Sequence, residues 1–435
     1  MDSKARAADT HDILAPYLEL CEPRLVLDVR PEADFHAAHL SRSYHLHPVS
    51  ALKSRYSYLP PRGVPFLVLA NEAQYVEVVD AFQHTTAARL VFLSAPDRPG
   101  CSSTCSTSEN TVCDSREFFA CASQRDPGLV ASSNSLKLRL ATSKDTPTLL
   151  FKPSNAVRRV VDAIESRSRL DGEGCIDRRV LDLGCGAARD LAWILHRSRS
   201  ESVRKGPGVA WSGVGLDNWK AALSRAQQLV RDLYLDDDSQ VCGEGTRVGC
   251  EGLIWAKCDD DGYIDPLFGT GKGKPLDQHA TLAPEETQTL ARCHTLGLGP
   301  VMRAHHATAT LPNPTLEDAG FDLILVVRFH PRSLLARISR LVRPGGCILL
   351  SHFTTMTEQE RSALRTEQPA ADIDYESPPI EGRVHPQDPQ ALVETWNSDL
   401  SAPHNCCWRV AENILETIED GRIVRSVTFI KSQTQ

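Results

Sequence analysis

Short apolar runs alternate with amphipathic stretches in two parts of the chain, which is the pattern of α/β folds. In residues 1–95 the runs at 25–27, 66–69 and 90–93 are typical of buried parallel strands. Between the last two runs, Val76, Val78, Val79 and Phe82 favour a helix. The pattern therefore predicts a small α/β domain over residues 1–95.

The alternation is stronger over residues 147–435. Predicted helices are 154–166, where Ser154 is a favourable N-cap, the stretches after Ala188 and Asp217, and a stripe from Pro331 to Val342. Predicted strands are 180–183, 213–217, 321–327, 347–353, 408–418 and 422–430. Asp420-Gly421 between the last two runs predicts a β-hairpin.

Two segments lack this periodicity. Residues 96–146 are rich in serine and are predicted to be a linker. Residues 262–317 contain Gly-rich pieces, and we interpret them as an insertion that is either functional or without order. The cysteines at 101, 105, 113 and 121 lack a CxxC pair and a nearby histidine, and His305–His306 lacks partner ligands. We therefore predict no metal site.

Composition limits the function classes. A length of 435 residues with 41% hydrophobic content allows two or three domains of ~150 residues. The net charge of -8 disfavours a nucleic-acid partner, although a basic stretch at 197–205 could act locally. We expect no membrane span and no signal peptide, because the apolar runs are short and the first twenty residues carry many charges. The fourteen scattered cysteines then favour reduced thiols in the cytoplasm, with the nucleus left open.

The string LDVRPEADFHAAHLSRSYHL at 27–46 resembles the start of a rhodanese domain. In that family the loop after the next core strand carries a persulfide-forming cysteine, but residues 69–73 here read LANEA. Without a thiol there is no sulfur nucleophile, and Glu72 would repel an anionic substrate. We therefore predict an inactive rhodanese-like domain that acts as a docking or stabilising module, with a possible protein partner.

A glycine turn follows the predicted strand at 180–183. Gly184 and Gly186 allow a ligand to approach the backbone, and Asp182 could accept a hydrogen bond from an ammonium group. Asp217 ends the next apolar run and could accept from ribose hydroxyls. The 35-residue separation of the two acids exceeds the ~20 of a tight βαβ unit, an excess that the charged loop at 199–208 explains. Ala188 replaces a third glycine, which disfavours a nucleotide-redox site.

The motifs LDLGCGAARD, GVGLD, FDLILVV and LVRPGGCILLSHF, with the closing hairpin, resemble a class I S-adenosylmethionine-dependent methyltransferase. The segment RFHPR at 328–332 is similar to that of the small tellurite-resistance-type members. The resemblance covers roughly 147–261 and 318–433, and it implies a Rossmann-like seven-stranded sheet with a C-terminal antiparallel hairpin, and S-adenosylmethionine as cofactor. The cofactor-binding residues it implies are Asp182, Gly184, Cys185, Gly186, Ala187, Asp217, Asn218 and Asp259.

Candidate groups for the methyl acceptor follow the strand at 321–327. Arg328 or His330 would orient the acceptor, which we expect to be a small molecule. In the alternative, Arg332 pairs with a surface carboxylate and His330 only caps its helix. Two other functions stay open: a cofactor-binding pseudo-enzyme or interaction scaffold, and an NAD(P)-dependent oxidoreductase, which the missing GxGxxG and the hairpin disfavour.

Overall fold

A computed structural model describes the chain in twelve segments and divides it into two compact units, Met1–Lys152 and Pro153–Gln435. The described residues are 13–95, 110–132, 147–171, 175–198, 208–236, 241–242, 246–247, 249–269, 274–275, 283–303, 320–399 and 406–433. The predicted loop at 199–208 lies outside these residues except for Gly208, and so do Cys101, Cys105 and His305–His306.

The first unit is built on a five-stranded sheet in which all neighbouring strands are parallel. The strands of the unit are β1 (Val26–Asp28), β2 (His39–Leu40), β3 (Tyr44–His45), β4 (Phe66–Asn71), β5 (Ala88–Ser94), β6 (Asn110–Asp114) and β7 (Val130–Ala131), of which β2 and β7 form a separate antiparallel pair. Its helices are α1 (Ala15–Leu18), α2 (Glu32–Ala37), α3 (Leu52–Arg55), α4 (Tyr75–Phe82) and α5 (Ser115–Arg125). The sheet order is β3-β1-β4-β5-β6, so β4 is central. The three strands and the helix predicted for this region are confirmed.

The prediction of a linker over 96–146 is wrong for residues 110–132. β6 adds an edge strand beside β5, and α5 buries Phe118 and Ala122 in the core of the unit. Asp114 caps α5, since its carboxylate accepts from the backbone N–H groups of Arg116 and Glu117. The sequence pattern did not predict β6, because this edge strand has few apolar residues and follows a serine-rich segment.

The second unit contains the larger sheet. Its strands are β8 (Cys175–Leu183), β9 (Gly208–Asp217), β10 (Val241–Cys242), β11 (Thr246–Arg247), β12 (Gly249–Cys258), β13 (Ile264–Phe268), β14 (Lys274–Pro275), β15 (Phe321–Val327), β16 (Val342–Phe353), β17 (Cys406–Thr417) and β18 (Ile423–Gln433). Its helices are α6 (Asn155–Asp171), α7 (Arg189–Arg197), α8 (Lys220–Asp232), α9 (Pro284–Thr295), α10 (Arg332–Leu335), α11 (Glu358–Glu367) and α12 (Asp388–Asn397). Among the described residues, no helix has the length and apolar character that crossing a membrane requires.

The strand order of this sheet is β14-β13-β12-β9-β8-β15-β16-β18-β17. The five adjacent strands β12, β9, β8, β15 and β16 are parallel, whereas β18 and β17 form an antiparallel hairpin at one edge. The chain runs from β8 outward through β9 to β12 and then crosses to β15 on the other side of β8. A parallel, Rossmann-like core closed by a hairpin is therefore confirmed, and its topological switch point lies between β8 and β15.

Two expectations for this unit are wrong. The sheet has nine strands among the described residues instead of seven, because β13 and β14 come from the predicted insertion at 262–317 and β13 pairs antiparallel with β12. The sequence of β13, IDPLF, did not predict a strand because it contains Asp and Pro, which are rare in strands. The predicted helical stripe also ends early, since Val342 pairs with Phe321 and begins β16.

Candidate active site

The glycine turn after β8 is held against the end of β9. The N–H groups of Gly184 and Cys185 both donate to the Leu216 carbonyl at 2.9 Å. Gly184 and Gly186 have φ of +71° and +55°, the left-handed region that favours glycine. A Cβ at Gly184 would lie 2.7 Å from Phe329, whereas one at Gly186 would meet nothing within 4 Å. The turn is thus packed at Gly184 and open at Gly186.

Asp217 ties this turn to the start of the next loop. One oxygen of its carboxylate accepts from the Gly186 N–H at 2.8 Å, and the other accepts from the Trp219 N–H at 2.7 Å. The side chain is partly exposed. Because each carboxylate oxygen has a second lone pair, both can still accept a hydrogen bond from a ligand hydroxyl.

Three carboxylates surround the turn. Asp182 is 4% exposed, and burial, followed by the charges of Asp190 and Asp217, raises its pKa well above the ordinary value. Burial also raises the pKa of Asp190, although the N–H of Ser154 donates to it at 2.8 Å and Arg189 and Arg328 oppose the shift. Such a group of acids favours a cationic ligand and disfavours a pyrophosphate at this turn.

A cavity of about 250 Å³ lies beside the turn, at the carboxyl ends of β8, β9, β12 and β15. Its walls are formed by Leu183, Gly184, Leu216, Asp217, Asn218, Ala256, Lys257, Cys258, Ile264, Arg328, Phe329, Pro331 and Leu334. The volume is just below the ~300–1,000 Å³ of small-molecule sites, and the mixture of apolar walls with a few polar groups is typical of them. The structure therefore places a concave site where open α/β sheets bind ligands.

The structure brings most of the predicted cofactor residues together. Gly184, Asp217 and Asn218 line the cavity, while the turn that contains Cys185, Gly186 and Ala187 lies beside it. The Cys185 thiol is buried, and a Cβ built on Gly215 would lie 3.0 Å from its sulfur. Burial raises the pKa of this thiol well above the ordinary value, so the side chain packs in the structure instead of presenting a thiolate.

Asp259, predicted to contact the cofactor, is engaged elsewhere. Its carboxylate pairs closely with Arg303 and accepts from the Tyr263 N–H at 2.8 Å. Burial opposes the change, but these two donors lower the pKa of the Asp259 carboxyl. The residues that line the cavity here are Lys257 and Cys258, the last two of β12. Their position at the carboxyl end of a parallel strand is the sequence feature that could have identified Lys257 and Cys258 as site residues.

The acceptor candidates occupy different positions. Arg328 lines the cavity with φ of +55°, and its N–H donates to the Ser351 carbonyl at 2.7 Å. His330 lies outside the cavity walls, and its Nδ1 donates to the Gly382 carbonyl at 3.2 Å. Arg332 donates to a backbone carbonyl, that of Arg383, at 3.0 Å. The described contacts therefore support neither a pairing of Arg332 with a surface carboxylate nor a capping role for His330.

Among the described residues, no three or more His, Cys, Asp or Glu side chains are grouped so that they could hold a metal ion. Cys113, one of the four cysteines considered above, is buried in β6, and burial raises its pKa to about 12.

No protein family model matches the chain. A curated relative, the "Uncharacterized protein UNK4.09" of Schizosaccharomyces pombe, is 29% identical over 214 residues, which cover 49% of this chain and 50% of that protein. The chain thus spans about half the length of the curated relative it matches.

Similar solved structures include a protein described as a SAM-dependent methyltransferase from Methanosarcina mazei. It is 12% identical, with a TM-score of 0.28, and the match covers 60% of this chain and 94% of that chain. An arsenic(III) S-adenosylmethionine methyltransferase from Chlamydomonas reinhardtii is 17% identical, with a TM-score of 0.28 and coverage of 65% and 75%. TM-scores of this size carry no functional conclusion, and the function proposed below rests on the residues of the chain itself.

Proposed function

We propose that the second unit binds S-adenosylmethionine and transfers its methyl group to a small-molecule acceptor. The observation that carries the proposal is the position of Asp217, whose carboxylate joins the open glycine turn to the wall of the cavity. A ligand bound here would have Asp217, a hydrogen-bond acceptor for ribose hydroxyls, on one side and the acidic turn on the other. The cationic amino and sulfonium groups of S-adenosylmethionine match this charge distribution.

Each part of the cofactor has a partner in this proposal. Asp217 would accept from the ribose hydroxyls, and the apolar walls at Leu216, Ala256 and Ile264 would cover the adenine. The methionine part would lie along the turn at Gly186, where Asp182 would attract the ammonium group. When bound, S-adenosylmethionine supplies a methyl group on a positively charged sulfur, which is already activated for transfer.

The chain then has to position the acceptor and exclude water. Arg328 is our candidate for this role, and its support is that it lines the cavity directly after β15. Holding the two reactants in line converts the reaction into an intramolecular step, which can account for most of the rate enhancement.

Calorimetric titration of the full chain with S-adenosylmethionine, S-adenosylhomocysteine and NAD tests the proposal. We expect both adenosyl ligands to bind and NAD not to bind, because its pyrophosphate would face the acidic turn. Tighter binding of NAD would contradict the proposal. Incubation with isotope-labelled methyl donor and a panel of small acceptors then separates a methyltransferase from the pseudo-enzyme, which would bind the donor without transferring the label.

For the first unit we propose a rhodanese-like module without sulfurtransferase activity that serves as a docking site for a protein. Its support is the loop after β4, where the Gln74 side chain is bonded to the Asn71 N–H and the Val29 carbonyl and no thiol is present. A thiosulfate sulfurtransferase assay tests the first part, and measurable turnover would contradict it.

A further inference from the structure

Two histidine rings lie together at the carboxyl ends of β15 and β16. The ring centroids of His330 and His352 are 5.4 Å apart, with the planes inclined at 33°. Val327 pairs with Ser351 in the sheet, and the Arg328 N–H donates to the Ser351 carbonyl at 2.7 Å. The backbone of Arg328, which lines the cavity, is therefore one residue away from His352 across the two strands.

His352 has a polar atom that the fold leaves unused. The residue is 7% exposed, and among the described residues its buried Nδ1 has no hydrogen-bond partner. Leaving a buried polar atom unpaired destabilises a fold, so such atoms are rare and call for an explanation. A partner supplied by a bound substrate is one explanation, and the location next to the cavity wall supports it.

The environment keeps both rings uncharged at neutral pH. Burial is the largest influence on each, and it lowers the pKa of His330 and lowers that of His352 to about 4. The Gly382 carbonyl opposes this shift at both rings. Its bond to His330 requires Nδ1 of that ring to carry the proton, which fixes the tautomer.

Charged and titratable groups come from every segment packed around the pair. Arg328 and Arg332 follow β15, His385 precedes α12 and Asp388 is its first residue. Arg425 lies in β18, opposite His352 of β16. The Arg425 guanidinium already donates to Glu360, Thr354 and Asn413. His352 is thus a buried, neutral imidazole with cations on the neighbouring elements.

We propose that His352, positioned by His330, accepts the proton of the methyl acceptor, and that this acceptor is a small molecule with a hydroxyl group. This inference rests on the function proposed for the second unit. The hydroxyl oxygen forms a bond to the methyl carbon while the bond between that carbon and sulfur breaks, and the electron pair of the broken bond stays on sulfur. The proton of the hydroxyl passes to Nδ1 of His352. The products are a methyl ether, a neutral thioether and a protonated imidazole.

The need for a proton acceptor inside the site selects this class of acceptor. A thiol reacts as its thiolate, which forms in water before binding, so its methylation needs no base next to the cavity. A hydroxyl oxygen becomes a strong acid as it gains its third bond, so that even a weak base accepts the proton at that stage. An amine needs no base in order to attack.

Isotope-labelled histidine provides a test that does not depend on turnover. With saturating S-adenosylhomocysteine, addition of phenol, catechol or benzyl alcohol should move the Nδ1 resonance of His352, and thiophenol and benzylamine should not. With S-adenosylmethionine, the hydroxyl compounds should be methylated. If no hydroxyl compound gives either response, or if the thiol or amine is methylated while the resonance stays fixed, the inference is wrong.

The variant H352Q should lower the rate of O-methylation by about 100-fold or more and leave the affinity for S-adenosylhomocysteine unchanged. Its melting temperature should stay close to that of the parent protein, because glutamine keeps a polar side chain of similar size, whereas a purely structural histidine would predict a lower melting temperature. H330Q should cause a smaller loss of rate and shift the His352 resonance even without acceptor. Unchanged rates in H352Q would overturn the proposal.

His294 supplies a matched control. It is also 7% exposed, and its buried Nε2 has no partner among the described residues. His294 lies two residues before Leu296, whose carbonyl accepts from the Arg179 side chain, and the Arg179 backbone N–H donates to Asp322 at the amino end of β15. This is the end of the sheet opposite to the cavity. H294Q should therefore change neither rate nor resonance. Loss of adenosyl-ligand binding in the parent protein would instead refute the proposed function, which keeps the two failures distinct.

Discussion

Both units place a loop at the carboxyl end of a central parallel strand, and the two loops use their polar groups in opposite ways. After β4, the Gln74 side chain accepts from the Asn71 N–H and donates to the Val29 carbonyl, and the Asn71 side chain donates to Asp34. After β8, Gly186 is open, and Asp182 is buried with a raised pKa. The polar side chains of the first loop are thus paired, whereas the second loop contains a buried carboxyl group whose ionisation is opposed by burial and by neighbouring acids.

This difference shows that the strand-end crevice of an α/β sheet is not by itself a binding site. Where loop side chains satisfy the backbone, as at Asn71 and Gln74, a ligand would have to displace existing hydrogen bonds. Where buried carboxylates stay close together, as at Asp182 and Asp190, a cationic ligand relieves an unfavourable interaction. The two loops therefore make different predictions under mutation.

The largest expected effect is that of Asp217→Ala on the open loop. The change removes the ribose acceptor and the link between the Gly186 and Trp219 amides. Hydrogen bonds to a charged group contribute about 1.5–3 kcal/mol each, so affinity for S-adenosylhomocysteine should fall by at least ~100-fold in calorimetry. Glu367→Ala, which removes an exposed carboxylate from α11, is the control and should leave the affinity unchanged.

A second prediction separates strain from ligand contact at the glycine turn. In Gly186→Ala, the added methyl group would enter the open space beside the turn, so we expect about a tenfold loss of affinity. Gly345→Ala is matched, since Gly345 also has a positive φ and nothing within 4 Å of an added Cβ. Both variants should lose about 1 kcal/mol of stability. Equal affinities in the two would show that no ligand passes Gly186.

A third prediction concerns pH. Because the pKa of Asp182 is raised, the free protein keeps this carboxyl group protonated at pH values above the ordinary pKa of ~3.9. A cationic ligand must displace that proton in order to bind. Affinity for S-adenosylmethionine should therefore increase as pH rises through that range and level off once Asp182 is ionised. In Asp182→Asn the affinity should be lower and the contribution of this group to the pH dependence should vanish. An affinity that falls with rising pH would contradict the role of this carboxylate.

The smallest effect is expected in the closed loop. Gln74→Ala removes the side-chain bonds to the Asn71 N–H and the Val29 carbonyl and should destabilise the first unit by ~1 kcal/mol. All six tryptophans belong to the second unit, so their fluorescence reports on that unit while circular dichroism reports on both. A shift in the urea transition by dichroism without one in fluorescence is the expected result. A shift in neither signal would show that the Gln74 side-chain bonds contribute nothing to the stability of the first unit.

Sequence patterns were informative where local periodicity and turn chemistry decide the structure. The run that became β15, the Asp420-Gly421 turn and the end of β9 at Asp217 could all be predicted. β6 and β13 could not, because their pairing partners rather than their own apolar content make them strands.

The same distinction applies to the candidate site. The glycines and Asp217 follow from the order of strand, turn and helix. The pairing of Asp259 with Arg303 joins residues on opposite sides of the segment 262–302, so no local pattern reports it. The proximity of His330 and His352 likewise depends on the register of β15 and β16.

The most direct test of the central claim is a crystal structure of the full chain with S-adenosylhomocysteine. The account predicts the ribose hydroxyls within hydrogen-bond distance of Asp217 and the adenine between Leu216, Ala256 and Ile264. A complex in which the nucleoside lies away from Asp217, or a cavity that stays empty at saturating ligand, would contradict it.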